Sequence, residues 1–65
     1  MIKFTDTQWG KLKAKGYVYE IAFKDTATGR TYDSLPFKDL IDIAPYLRDN
    51  PTYKINEIIR PERYN

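Results

Sequence analysis

An eight-residue run of alternating side chains, from Tyr17 to Lys24, constrains the fold of this chain more than any other feature. Alternation with a period of two predicts a β-strand, because successive side chains of a strand point to opposite faces of its sheet. One face would carry Tyr17, Tyr19, Ile21 and Phe23, and the other Val18, Glu20, Ala22 and Lys24. Since both faces carry apolar residues, each face of the resulting sheet needs a cover.

The residues that follow this strand predict a hairpin. Gly29 suits the positive φ that ends a type I turn over 25–29, so residues 30–34 should return as the second strand. Tyr53–Arg60 is predicted as a third strand, in which the adjacent Ile58 and Ile59 interrupt the alternation. That interruption indicates either a bulge or a strand that is buried on both faces.

Between the second and third strands the sequence predicts a helix. Ser34 suits an N-cap and Pro36 suits a first helical turn. A helical stripe of apolar residues follows at Phe37, Leu40, Ile41, Ala44 and Leu47. Proline inside a helix lacks a donor and clashes with the preceding turn, so Pro45 should end or kink the helix near Ala44.

These elements predict an α+β fold for a single domain of residues 1–65. The expected fold is a three-stranded sheet in hairpin–helix–strand (ββαβ-like) order, with one helix packed on one face. In the expected core, the helical residues Phe37, Leu40, Ile41 and Leu47 pack on Ile21, Phe23, Leu35 and Ile55.

The N-terminal segment favours a short helix, with a strand as the alternative. Thr5 and Gln8 have the spacing of a capping box, and Phe4 and Trp9 that of a hydrophobic staple. Residues 11–15, however, alternate between polar and apolar types as a strand would.

One helix covers only one face of a sheet, so the second face needs another partner. We expect Val18, Ala22, Ile58 and some of the tyrosines to lie on that uncovered face. A symmetric homodimer would bury it, and we expect one. The alternative is that the N-terminal segment folds back over the same face and completes a monomer, with Trp9 as a core residue.

The composition excludes most catalytic chemistry. The 65 residues include no histidine and no cysteine, so triads that use histidine, thiolate zinc sites and disulfides are absent. We therefore expect a protein that is not an enzyme and that binds no cofactor and no metal. Neither a signal-peptide-like apolar start nor an apolar run of membrane-spanning length is present, so we expect a cytoplasmic protein without membrane contact.

One segment combines basic and aromatic residues in a way that is typical of recognition surfaces. The predicted partner-binding residues are Trp9, Lys11, Lys13, Lys15, Tyr17 and Tyr19, with Tyr53 as a further anchor. Tryptophan and tyrosine are enriched in protein–protein hot spots, which favours a protein partner. Lysines beside stacking aromatics would also suit nucleic acid, with Lys54 and Arg60 contributing. The plainest interpretation is a solvated lysine face beside core aromatics.

In size, in the element order from Tyr17 to Arg60 and in its lack of catalytic residues, the chain resembles the very small proteins with which bacteriophages disable host enzymes or defence systems. These include phage inhibitors of uracil-DNA glycosylase, of bacterial RNA polymerase and of CRISPR effectors. The resemblance implies stoichiometric inhibition or adaptation of a larger host protein. Many such inhibitors are acidic DNA mimics, whereas this chain has a net charge of +2, so blockade of a protein surface is the mechanism we expect.

Overall fold

The computed structural model describes residues 2–61, and the two ends of the predicted 1–65 domain lie outside that range. It confirms the α+β fold class, with one three-stranded antiparallel sheet in the order β2-β1-β3. The strands are β1 (Tyr19–Asp25), β2 (Leu35–Phe37) and β3 (Tyr53–Arg60). The helices are α1 (Asp6–Ala14) and α2 (Ile43–Asp49), and a 3-10 turn at Leu40–Asp42 leads into α2.

The N-terminal segment is a helix, as the capping pattern predicts. The Gln8 N–H donates to Thr5 Oγ1 at 3.2 Å, and the Thr5 N–H donates to Gln8 Oε1 at 3.0 Å. This capping box satisfies two backbone donors that the first turn of any helix leaves unpaired. The rings of Phe4 and Trp9 lie 6.1 Å apart between centroids, as the staple requires. The strand alternative for residues 11–15 is wrong.

The first strand and its turn are confirmed, but the second strand lies later than predicted. Gly29 has a φ of 76° and closes the turn that follows β1. Residues 30–34 form only an isolated bridge at Thr31, because the Ser34 N–H donates to the carbonyl of Ile2 instead of to β1. The strand β2 contains Pro36, which an edge strand tolerates since one side of its backbone has no partner strand.

The predicted helix is misplaced: Ser34 is not its N-cap, and Pro36 and Phe37 belong to β2 instead of its first turns. Asp39 caps the 3-10 turn through the N–H of Ile41 at 3.2 Å, and α2 begins only at Ile43. Pro45 is therefore the third residue of α2, where a missing N–H costs no intrahelical bond. It lies near the start of the helix and does not end it.

This change of helix start alters which residues are buried. Leu40 is 51% exposed and Ile41 is 73% exposed, so their assignment to the core is wrong. Ile43, which the sequence interpretation missed, is buried in their place. The core cluster is Ile21, Phe23, Phe37 and Ile43, with Tyr19, Leu35, Tyr46, Leu47 and Tyr53 packed against it.

The edge strand β3 is irregular, as its sequence predicts. Ile21 pairs with Ile58 whereas the preceding Glu20 pairs with Arg60, so Ile59 has no direct partner on β1. A second register shift lies between the partners of Ala22 and Phe23. Ile55 lies on this edge and is 43% exposed, so its assignment to the core is also wrong.

The N-terminal segment of the chain covers part of the second face of the sheet. Trp9 of α1 and Ala22 of β1 are both buried. This is the arrangement that competes with a homodimer for the same face. Ile58 pairs with Ile21 and therefore lies on the α2 face, so its predicted place beside Ala22 is wrong.

A buried carboxylate joins this segment to the sheet. Glu20 is fully buried, and its Oε2 accepts hydrogen bonds from the Phe4 N–H at 2.7 Å and from the Ser34 hydroxyl. Its Oε1 accepts from Nε of Arg60 at 3.0 Å. The Arg60 guanidinium also donates to Asp6 at 2.8 Å and lies over the Trp9 ring at 5.4 Å.

The shifted start of α2 makes a testable prediction about stability. Ile43→Ala should lower the free energy of unfolding by about 2–5 kcal/mol, because it removes buried methyl groups and leaves a cavity. Ile41→Ala, two residues away and mostly exposed, should change it by less than about 0.5 kcal/mol. Urea denaturation of both variants measures the difference, and equal losses would contradict the placement of the helix.

Candidate functional site: a tyrosine cleft beside the edge strand

The structure separates the aromatic residues that the sequence grouped into one binding segment. Trp9 is 7% exposed and packs under Arg60, so its ring is not free to anchor a partner in this fold. Tyr19 and Tyr53 pack against the core cluster on the opposite, α2 face of the sheet. The predicted anchors therefore do not form one surface.

The three lysines of the same segment are exposed but do not share one side of α1. Lys11 and Lys15 are four residues apart and project together, whereas Lys13 is about 200° around the helix axis from Lys11. Lys13 and Tyr17 are brought together in a cavity of about 480 Å³ that Gly16, Val18 and Pro61 also line. A cation–π contact places Lys38 Nζ 5.1 Å from the centre of the Tyr17 ring.

The clearest concentration of recognition chemistry lies elsewhere, in a cleft of about 370 Å³ on the α2 face. Its lining residues are Thr31, Tyr32, Asp33, Leu35, Tyr46 and Tyr53. The rings of Tyr32 and Tyr53 stack at 5.3 Å between centroids with an interplanar angle of 25°. The Tyr46 ring meets that of Tyr53 at 6.0 Å and 58°. We call this site the tyrosine cleft.

The core supports the tyrosine cleft through ring contacts of Tyr46. Tyr46 packs against the fully buried Phe23, with 4.7 Å between ring centroids, and also against Phe37 at 6.0 Å. Burial raises the pKa of the Tyr46 hydroxyl above its ordinary value. A row of aromatic contacts thus runs from the core to the surface, which gives the cleft a fixed wall.

The electrostatics around the cleft are acidic. The pKa of Tyr53 is raised, first by the neighbouring Tyr32 side chain and then by desolvation, with the Asp25 charge among the smaller causes. Asp33 lines the cleft and accepts a hydrogen bond from the Ile2 N–H through Oδ1 at 3.1 Å. Among residues 2–61, the cleft lining contains this carboxylate and neither lysine nor arginine.

Asp25, the partner of Tyr53 on β1, fixes the turn that follows β1 at one end of the cleft. Its Oδ1 accepts from the Thr52 hydroxyl at 2.8 Å and from the Ala27 N–H at 2.9 Å. The Thr52 hydrogen bond is the largest of the causes that hold the pKa of Asp25 below its ordinary value. These bonds tie the 25–29 turn to the start of β3, and hence to Tyr53.

The opposite face of the sheet carries an exposed pair of like charges. Lys24 and Lys54 are direct partners on β1 and β3, and within residues 2–61 neither forms an ion pair. Directly opposed like charges destabilise a sheet. The pair is therefore a basic feature that the packing of the chain does not explain.

No cluster of three or more potential metal-ligating residues occurs in the part of the chain that the structure describes. None of the helices within residues 2–61 has the length and apolar character to cross a bilayer. No protein family, curated protein or solved structure matches this chain.

Sequence reasoning found Tyr53 but missed Tyr32 and Tyr46, which complete the tyrosine cleft. Tyr46 follows Pro45, and a helix that ends near Ala44 leaves it in a loose turn. With Pro45 in the first turn of α2, Ile43, Tyr46 and Leu47 form a stripe of i, i+3 and i+4 residues, and this signal could have found Tyr46. Tyr32 gives no local signal, because only the tertiary fold brings it to Tyr53.

The Asp25 hydrogen bonds predict a specific dependence of stability on pH. A carboxyl whose folded pKa is lowered stabilises the fold above its unfolded pKa, and this contribution is lost as the pH falls through the folded value. The native chain should therefore be more stable than Asp25→Asn at pH 7, and the gap should narrow once the pH falls below about 3.8. Thermal unfolding from pH 7 to pH 2 measures the gap.

Thr52→Val provides the control, because it removes the donor that contributes most to the low pKa of Asp25. In that background, Asp25→Asn should cause a smaller loss of stability, and the loss should depend less on pH. A loss of the same size in both backgrounds would show that the Thr52 hydrogen bond is not its cause.

Proposed function

We propose that this chain is a protein-binding module without catalytic activity, which inhibits or adapts a larger protein by covering part of its surface. The observation that carries the proposal is a row of half-exposed apolar side chains along β3. Tyr53, Ile55 and Ile58 pair in register with Asp25, Phe23 and Ile21 of β1, and so lie on the same face of the sheet. Ile55 is 43% exposed and Ile58 is 39% exposed. We call these three residues the β3 row.

The β3 row continues into the tyrosine cleft, because Tyr53 belongs to both. Aliphatic and tyrosine side chains that join a concave aromatic site are typical of protein–protein contact surfaces, where aromatic residues are enriched. The packing of the chain leaves Ile55 and Ile58 of this row partly exposed, whereas the N-terminal segment packs on the other face. The row and the cleft together thus provide an anchor and an apolar border for a partner.

The contact we propose uses side chains rather than strand addition. β3 is an edge strand of eight residues, but two register shifts interrupt its pairing with β1. Bulges twist an edge and disfavour pairing with another strand. Blockade of a partner's surface is also what the resemblance to small phage inhibitors implies, and a host enzyme or defence effector is the class of partner it suggests.

A charge placed in the β3 row tests the proposal. Immobilised native chain should retain a larger host protein at stoichiometric yield, and Ile55→Lys should reduce that retention about tenfold or more, because the lysine ammonium would have to be desolvated at the contact. Ile41→Lys is the matched control, since Ile41 is a more exposed isoleucine outside the row. Quantitative mass spectrometry of the retained proteins measures the ratio.

Retention that falls equally in both variants, or in neither, would contradict the role of the β3 row. Sedimentation equilibrium of the native chain separates a larger partner from a second copy. If the native chain has twice the monomer mass of 7.7 kDa and Ile55→Lys halves that mass, the β3 row forms a homodimer interface. That result would contradict the proposed larger partner.

Nucleic acid is the second candidate, and the Lys24–Lys54 pair is the observation that favours it. Two unpaired ammonium groups on neighbouring strands suit successive phosphates of a backbone, and the exposed lysines of α1 would add to that charge. If this is the function, oligonucleotide binding should weaken steeply with salt, and Lys24→Gln should reduce the salt slope by about one. Binding weaker than about 100 μM at physiological salt would reject it.

A further inference from the structure

The tyrosine cleft has the composition of a site for a cation. Three tyrosine rings form its wall, and the face of an aromatic ring carries the negative part of its quadrupole. The Asp33 carboxylate lines the same cleft, and the Asp25 charge acts on Tyr53. The ring faces and the carboxylates therefore both favour a positively charged ligand.

Asp33 has acceptor capacity to offer such a ligand. Its Oδ1 holds the Ile2 N–H, and the hydrogen bonds found within residues 2–61 do not use its Oδ2. A carboxylate has about four lone-pair sites, so the bond to Ile2 leaves most of them free. The Ile2 bond also holds the carboxylate in place at the edge of the cleft.

From this geometry we infer that the tyrosine cleft binds the guanidinium group of an arginine side chain that a protein partner presents. A guanidinium is planar, so it stacks on a tyrosine face while its edge donates paired N–H bonds to a carboxylate. A lysine ammonium is a compact and strongly hydrated charge, which gains less from a stacked ring. Tyr32 and Tyr53 turn one ring face to each other, so a guanidinium would stack on an outer face of this pair, and Asp33 of the same cleft would accept its N–H bonds.

The position of the cleft fits this role in the proposed function, on which the inference rests. Tyr53 connects the cleft to Ile55 and Ile58, so a partner segment along the β3 row would insert its arginine next to an apolar contact. An apolar border that excludes water strengthens a cation–π contact and an ion pair. The arginine would thus be the anchor, and the β3 row would be the surrounding seal.

Three blocked tripeptides that differ only in their central residue test the inference. The sequence acetyl-Gly-X-Gly-amide, with arginine, lysine or citrulline as X, is titrated into the full chain at millimolar concentration and low salt. The ring proton resonances of Tyr32, Tyr46 and Tyr53 report on the cleft by NMR. The arginine peptide should shift them and bind about tenfold more tightly than citrulline, which keeps the shape and loses the charge.

Two substitutions locate the site. Asp33→Asn removes the charge but keeps an acceptor oxygen for the Ile2 N–H, so the fold should persist while arginine affinity falls several-fold. Tyr17→Leu is the matched control, since Tyr17 is a half-buried tyrosine that lines the other cavity beside Lys13. It should leave arginine binding unchanged.

Equal binding of the arginine and citrulline peptides, or no shift of the three tyrosines, overturns the inference. Lysine binding as tight as arginine overturns the guanidinium assignment, because it would show a general cation site. These outcomes are separate from the retention test. Loss of partner retention in Ile55→Lys without an arginine effect would leave the proposed function standing and reject only the arginine anchor.

Discussion

The arrangement of this chain depends on one buried carboxylate, that of Glu20. A charge that is fully removed from water must be compensated by hydrogen bonds and an opposite charge, or it destabilises the fold by several kcal/mol. Its donors come from three separate segments: the Phe4 N–H before α1, the Ser34 hydroxyl before β2, and Arg60 at the end of β3. All three segments must therefore be in place together, and the position of α1 over the sheet follows from this requirement.

Because α1 packs on the second face of the sheet, that packing determines which surface is left for recognition. The Arg60 guanidinium, held between Glu20, Asp6 and the Trp9 ring, is engaged in the structure. Its pKa is raised first by the hydrogen bond to Asp6, with Glu20 adding to the effect. A residue in this position is a poor phosphate ligand, so Arg60 contributes little to a basic surface, which the exposed lysines, Arg30 and Arg48 can form. Within residues 2–61, the stacked tyrosines of the cleft lie on the α2 face, away from this arginine.

Local signals predicted the parts of the structure that local chemistry controls. The capping box at Thr5 and Gln8 and the alternation of β1 involve neighbours in sequence, so both could be predicted. The position of Pro45 was ambiguous, because proline suits the first turn of a helix and also ends one. The wrong choice placed Ile41 in the expected core and left Ile43 out of it. Tyr53 was predicted as an anchor, but its assembly with Tyr32 could not be predicted, because the two are 21 positions apart in the sequence and meet only after β1 and β3 have paired.

The same tyrosines stabilise the fold and form the candidate site. Tyr46 packs one side of its ring on Phe23 and lines the cleft with the rest, and Tyr53 joins the core cluster and the β3 row in the same way. A chain of this size has too few apolar residues to separate core from contact surface. A ligand that stacks on these rings contacts an arrangement that exists only in the folded chain, so its binding must also raise the free energy of unfolding. Recognition and stability are therefore linked through the same aromatic side chains.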